Sequence, residues 1–248
     1  MPPSGWSFGS DVEKVRLGPM TVDARQRVLW PEQTRHEDVK QFVLRSLARY
    51  IRRAMVEVVQ ASVERVPELA ALFGRAFADD PNALWSLGAK VTEGQVIEWF
   101  AAFLGLAAPR GLVWEAEDGL GAAIWFPPGA EQAYRDVEAG VRGMIASLSD
   151  DGGVRNESYW DWIAEHLPSE PHWFLDSLAV RQDRRGRGIG KTLIGLGLTG
   201  ARNAEVPAFL ETARPENVPL YEHLGFRVTY QEDAPASGPH VWFMRFDP

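Results

Sequence analysis

The segment richest in chemistry is Arg185-Gly186-Arg187-Gly188-Ile189-Gly190-Lys191-Thr192. It follows an apolar run, Leu178-Ala179-Val180, and opens a periodic stretch. Glycines let a backbone turn tightly and approach a phosphate with no Cβ in the way. The free N–H groups at a helix start, with the positive end of its dipole, then hold an anion. Arg184, Arg185 and Arg187 would add charge-assisted contacts. The loop is not a Walker A loop, because Arg185 stands where the first glycine would be. Lys191 likewise breaks the dinucleotide Gly-x-Gly-x-x-Gly pattern. A pyrophosphate cradle and a tight surface turn both remain open on these residues alone. The chain has no cysteine, so a thiol-bound intermediate, a disulfide or a thiolate metal site is excluded.

The elements that must position this loop read as α+β. Met55–Gln60 is rich in β-branched residues and reads as a strand. A helix follows from about Ser62 to Phe77, with a turn at Asp79-Asp80-Pro81, then a second helix over Glu93–Ala108. Leu112–Ala116 and Ala122–Phe126 read as strands around an Asp118-Gly119 hairpin signal. Residues 130–167 are helical, broken at 150–153. Trp173–Val180 is a strong strand, Ile189–Asn203 a helix and Ala208–Thr212 a strand. A short helix, Asn217–His223, ends at Gly225. Phe226–Tyr230 and Val241–Phe246 close the chain as strands.

Two signatures in order carry a resemblance. Arg185-x-x-Gly188-x-Gly190 matches the Gln/Arg-x-x-Gly-x-Gly/Ala loop, and Asn217-x3-Tyr221-Glu222-x2-Gly225-Phe226 the Asn…Tyr-Glu-x-x-Gly-Phe signature, of the GNAT superfamily of acetyl-CoA-dependent N-acetyltransferases. The sequence resembles that superfamily from about Val56 to Phe246. A narrower similarity, to its members that acetylate aminonucleoside antibiotics, rests on Ala76-Phe77-Ala78-Asp79-x-Pro81, Glu170-Pro171-x-Trp173-Phe174-Leu175 and Val206–Thr212 with Pro215–Phe226.

The resemblance implies a splayed mixed sheet flanked by helices and direct attack of an amine on the thioester of bound acetyl-CoA. It implies that Leu178, Ala179 and Val180 offer backbone N–H groups to the developing oxyanion. Arg185, Gly186, Arg187, Gly188, Ile189, Gly190, Lys191 and Thr192 would hold the cofactor's pyrophosphate, and Asn217 would hydrogen-bond the cofactor. Asn217 can instead be a helix N-cap. Tyr221 takes the general acid's place. The base is open. Where members of the superfamily carry a glutamate on this strand, the present chain has Phe174. By the period of two, His172, Phe174 and Asp176 share a strand face, so His172 and Asp176 are candidates. Glu211 is a third. Glu115 and Glu165 are candidate partners for the acceptor's cation, and Trp160, Trp162 and Trp173, with Trp85 and Trp125, for an aromatic acceptor.

Charge separates the chain into two parts. The whole carries −8, while residues 1–54 carry 10 basic and 6 acidic residues. These 54 residues therefore read as an extension holding a basic amphipathic helix over about 35–53, and residues 55–248 as the acetyltransferase domain. The acidic balance disfavours nucleic acid as partner. No signal peptide or membrane span is apparent, which gives a cytoplasmic expectation. No metal is expected, and the oligomeric state, a homodimer among the options, is open. The sequence thus points to acetyl transfer onto a small-molecule amine, with an aminonucleoside antibiotic favoured. A protein N-terminus or lysine as acceptor, and a non-catalytic acyl-CoA sensor, are the rivals.

Overall fold

The computed structural model describes Thr21–Val22, Val28–Leu29 and residues 56–116 and 119–248. The chain divides into two compact units, Met1–Met55 and Val56–Pro248. In the first, Thr21–Val22 and Val28–Leu29 pair antiparallel. The basic helix expected over 35–53 lies outside the described residues, as does Asp118 of the hairpin signal.

The second unit runs β1 (Val58–Gln60), α1 (Val66–Phe77), α2 (Pro81–Leu87), α3 (Glu93–Ala107), β2 (Val113–Ala116), β3 (Gly121–Phe126), α4 (Glu131–Leu148), α5 (Val154–His166), β4 (Trp173–Val180), α6 (Ile189–Ala204), β5 (Ala208–Thr212), α7 (Val218–His223), β6 (Arg227–Asp233) and β7 (His240–Phe246). The strands form one seven-stranded sheet in the order β1-β2-β3-β4-β5-β7-β6. Only β4 and β5 run parallel, which is the mixed, helix-flanked sheet expected from the sequence. Among the described residues no helix is long and apolar enough to cross a membrane.

Local chemistry explains the helix starts. Thr92 and Gln95 form a reciprocal capping box at α3. The Asp79-Asp80-Pro81 turn does more than stop α1. Asp80 accepts hydrogen bonds from Asn82 N–H and Ala83 N–H and so starts α2, a helix the apolar pattern did not reveal. Alternation along the strands then divides the core. Ile124, Phe174, Phe209 and Phe243 face one layer with Phe73 and Leu104. Trp125, Leu175, Leu210 and Met244 face the other, under Leu193 and Ile194 of α6.

Trp125 and Trp173 belong to this second layer and not to an acceptor site. Their rings meet edge to face at 6.0 Å, and Trp125 Nε1–H donates to the Leu193 carbonyl at 3.2 Å. Gly197 and Gly200 make the approach feasible: a Cβ there would fall 2.4 Å from Trp125 and 2.3 Å from Trp173. Gly197→Ala should therefore destabilise the fold by roughly 1–3 kcal/mol through overpacking, despite alanine's better helix propensity. A denaturant midpoint above that of the wild type would contradict this packing.

Two irregularities in β4 build the site. Ile124 pairs with Ser177 and Trp125 with Leu175, so Asp176 is the extra residue of a bulge. The parallel pairing of β4 with β5 also ends early, at Leu175↔Leu210. Beyond it β4 stays on β3, and β5 stays on β7. The two strands diverge, and a cleft opens between them. Asp176 and Glu211 are the first residue of each strand past the last pair.

Candidate active site

The cleft has a volume of about 1280 Å³ and runs from the glycine loop to the vertex of the splay. At the loop end it is lined by Arg185, Gly186, Gly188, Ile189, Gly190 and Lys191. Gly186 and Gly188 have φ of +74° and +84°, left-handed values that cost a side chain. Gly188 caps α6 at this point, so the first N–H groups of a 16-residue helix are without intrahelical partners. Arg185 and Lys191 have no carboxylate partner among the described residues. Arg187 and Thr192, expected here as well, are not among the lining residues. Thr192 instead ties its own helix start, donating from N–H and hydroxyl to the Gly188 carbonyl at 2.9 and 3.1 Å.

The middle of the cleft is the free edge of β4. Leu178, Ala179 and Val180 line it. They pair with β3 on one side, and the side that faced β5 lower down is open. Asn217 lines the opposite wall. It sits at the N-cap position of α7, yet its side chain makes no capping bond. Its Nδ2 reaches Thr212 Oγ1 at 3.5 Å. Unpaired cations, glycine turns, open helix N–H groups and a free strand edge fit an extended, pyrophosphate-bearing thioester such as acetyl-CoA.

At the vertex stand Asp176, Glu211 and Tyr221, all in the cleft wall. Ser177 Oγ donates to Asp176 Oδ2 at 2.9 Å. Burial pushes Asp176 up to about 6. Glu211 rises further, to about 8, from burial first and then from the facing Asp176 carboxylate. The pair therefore shares one proton near neutral pH, held on Glu211. Tyr159 donates its hydroxyl to Glu211 Oε1 at 3.5 Å, while Glu211 Oε2 is buried without a partner. The Tyr221 ring is 7 % exposed and meets Phe226 edge to face. Burial, then the Glu211 and Asp80 carboxylates, push its phenol well above the ordinary range. It stays protonated, and its hydroxyl has no hydrogen-bond partner among the described residues.

His172 is kept apart from this group. Its Nδ1 lies 2.8 Å from the Glu170 carbonyl, its ring packs edge to face on Phe209, and it is not in the cleft wall. Of the three residues expected on one face, His172, Phe174 and Asp176, only Asp176 reaches the cleft, because β4 and β5 are still paired as far as Leu175. Phe174 packs against Tyr134 in the core. Glu115 is also spent elsewhere, taking Arg65 Nε on both oxygens at 3.1 Å. Glu165 lies in a separate surface depression with Glu157 and Asp161.

Several residues of the site escaped the sequence reading. Trp160 lines the cleft as expected, but its aromatic companions are Trp99, Phe100, Phe103, Tyr134 and Tyr159. Trp162 packs on Phe243, and Trp85 reaches the site only through Tyr159. Arg214 locks the rim. Its Nε bonds Asp80 Oδ2 at 3.1 Å and its Nη1 bonds Glu216 Oε1 at 3.3 Å, which ties the start of α2 to the β5–α7 loop. The Asp80-Pro81 cap was the available signal for the first of these partners.

Known proteins give the same picture. The model of the Acetyltransferase (GNAT) family matches residues 94–226, more than half the chain. An uncharacterized N-acetyltransferase of Schizosaccharomyces pombe is 28% identical over 178 residues, covering 66% of this chain and 70% of the yeast protein. The fold is similar to a histone acetyltransferase HPA2 and related acetyltransferase from Corynebacterium glutamicum, with TM-score 0.56 at 22% identity, covering 78% of this chain and 97% of that one. It is also similar to an agmatine N-acetyltransferase, with TM-score 0.52 at 15% identity, covering 78% and 99%. With the loop, the splay and the tyrosine in one cleft and the family model across them, the chain belongs to the GNAT family of acetyltransferases.

Proposed function

We propose that this acyltransferase moves acetyl from acetyl-CoA directly to the primary amine of a small molecule in the cytoplasm, with an aminonucleoside-type antibiotic as the favoured acceptor and resistance or self-protection as the role. Residues 55–248 form the catalytic unit of this reading. The observation that carries it is the vertex: Asp176 and Tyr221 face one cleft at the point where β4 and β5 part.

Acetyl-CoA supplies the activated acetyl group. The loop from Arg185 to Lys191 holds its phosphates, and Asn217 holds it from the opposite wall. An alkyl ammonium titrates near 10, so it must lose a proton before attack. Asp176 is ionised at neutral pH and takes that proton. Along the open edge of β4 the N–H groups of Leu178 and Val180, which alternate away from β3, hold the charge that develops on the carbonyl oxygen, while that of Ala179 is spent on β3. Tyr221, kept protonated by burial, donates to the departing sulfur and regains a proton from the nitrogen, which sheds its second one as the amide forms. Glu211, neutral beside Asp176, keeps the vertex from carrying two negative charges.

The walls favour a small acceptor over a protein segment. Phe100, Phe103, Tyr134, Tyr159 and Trp160 enclose the cleft with aromatic surface that suits a flat ring. The agmatine acetyltransferase supports a small amine as a ligand this fold can serve.

Product mass after incubation with acetyl-CoA and puromycin, other nucleoside amines or a lysine peptide tests the reading. Acetylated puromycin is the expected product. Modification of the peptide alone would replace it with a protein acceptor, and tight acetyl-CoA binding with no product from any amine would replace it with a sensor.

A further inference from the structure

Glu138 is a buried carboxyl that this mechanism leaves without a task. It lies within α4, is 8 % exposed, and its Oε1 is buried with no partner. Tyr134 precedes it by one helical turn on the same face of α4, and the phenol's influence favours the Glu138 carboxylate. No ion pair is formed by Glu138 among the described residues. A buried carboxylate with an empty oxygen and no counter-ion is costly, and a leucine would pack there without that cost.

The surroundings of Glu138 give it a direction. On the inner side, Tyr134 stands in the cleft wall with Asp176. Its ring is fixed edge to face between Phe126 at 4.9 Å and Phe174 at 5.6 Å. Asp176 is felt at both Tyr134 and Glu138. On the outer side, the charges acting on Glu138 are Arg142 of its own helix and Asp161 of α5. Arg142 is 42% exposed and pairs with Glu157 at 3.0 Å. Asp161 lines a surface depression on α5. Tyr134, Glu138 and Arg142 thus follow one another at helical spacing along α4, from the cleft wall that holds Asp176 to the side chain that pairs with α5.

We propose that Tyr134 and Glu138 conduct the acceptor's proton from Asp176 to solvent at the α4–α5 face, so that Asp176 is ionised again before each turnover. The inference rests on Asp176 being the base. The amine's N–H bond breaks and the proton passes to Asp176. Water in the cleft carries it to the Tyr134 oxygen as the phenol's own proton moves to Glu138, and Glu138 releases it outside. One proton moves from acceptor to solvent, and no oxidation state changes. Burial holds Glu138 at about 7, where it both accepts and releases a proton near neutral pH.

Glu138→Gln keeps the shape and the acceptor oxygen but cannot carry the proton. Rapid-quench and steady-state assays with acetyl-CoA and the fastest amine of the panel, in weakly buffered solution, should then show a burst of one product per site. The steady rate after it should be roughly tenfold below that of the wild type. Rising imidazole, a small proton carrier, should restore that rate. Tyr134→Phe should behave in the same way, with the double variant no slower than either single one. Loss of rate without a burst and without imidazole rescue would assign Glu138 a packing role and overturn the relay, as would an unchanged steady rate. Either result leaves the acetyltransferase reading standing. A wild-type enzyme that acetylates no amine overturns both.

Discussion

Asp176→Asn is expected to lower kcat/KM at pH 7 by about 10²–10⁴-fold, the usual loss when a positioned base is removed. The pH profile gives the sharper result. In the wild type the acid limb should fall as pH drops through about 6, because Asp176 must be ionised to accept the acceptor's proton. The variant has no group to produce that limb. Its Glu211 should also move down from about 8, since part of that elevation comes from the Asp176 charge. Initial rates over about pH 5 to 9 read both effects. A variant with the wild-type profile would remove Asp176 as the base and leave Glu211 or a water chain in its place.

Gly188→Glu attacks the other end of the cleft. A Cβ at this position meets no atom within 4 Å, so bulk is not the problem. The φ of +84° is left-handed, and a side chain there costs about 1–2 kcal/mol. The carboxylate adds a larger effect, since it stands at the cap of α6 where the donor's phosphates are to be held. Losing two charge-assisted contacts, at about 1.5–3 kcal/mol each, amounts to a loss in acetyl-CoA affinity of about 10²–10⁴-fold. Titration calorimetry with acetyl-CoA measures it directly. Gly188→Ala separates the terms, because it carries the backbone strain without the charge and should lose far less. Unchanged affinity in the glutamate variant would show that the pyrophosphate binds elsewhere.

Much of the machinery was legible in the residues. The glycine loop and the Asn217–Phe226 signature are local in sequence, and each works through its own backbone conformation. Tyr221, Asn217 and six of the loop's residues line the cleft accordingly. Strands with clear alternation and helices with clear caps also fell near their expected limits. Where the reading failed, the cause was contact across the fold. The Asp80 cap looked like a turn because its second partner, Arg214, is far away in sequence. Trp125 and Trp173 looked like acceptor contacts because nothing local shows that Gly197 and Gly200 leave room for them under α6. His172 looked like a companion of Asp176 because nothing local shows that β4 and β5 part only beyond Leu175.

By itself, then, the amino-acid sequence determined the order of strands and helices, the glycine loop and the Asn217–Phe226 signature, because these depend on periodicity and on residues a few positions apart. The tertiary structure decided which carboxylates meet. Asp176 and Glu211 are brought face to face by a one-residue bulge and by the end of parallel pairing at Leu175↔Leu210. Burial raises the proton affinity of both, and the Asp176 charge raises that of Glu211 further. Burial and mutual repulsion are properties of the space between strands, and no spacing along the chain encodes them.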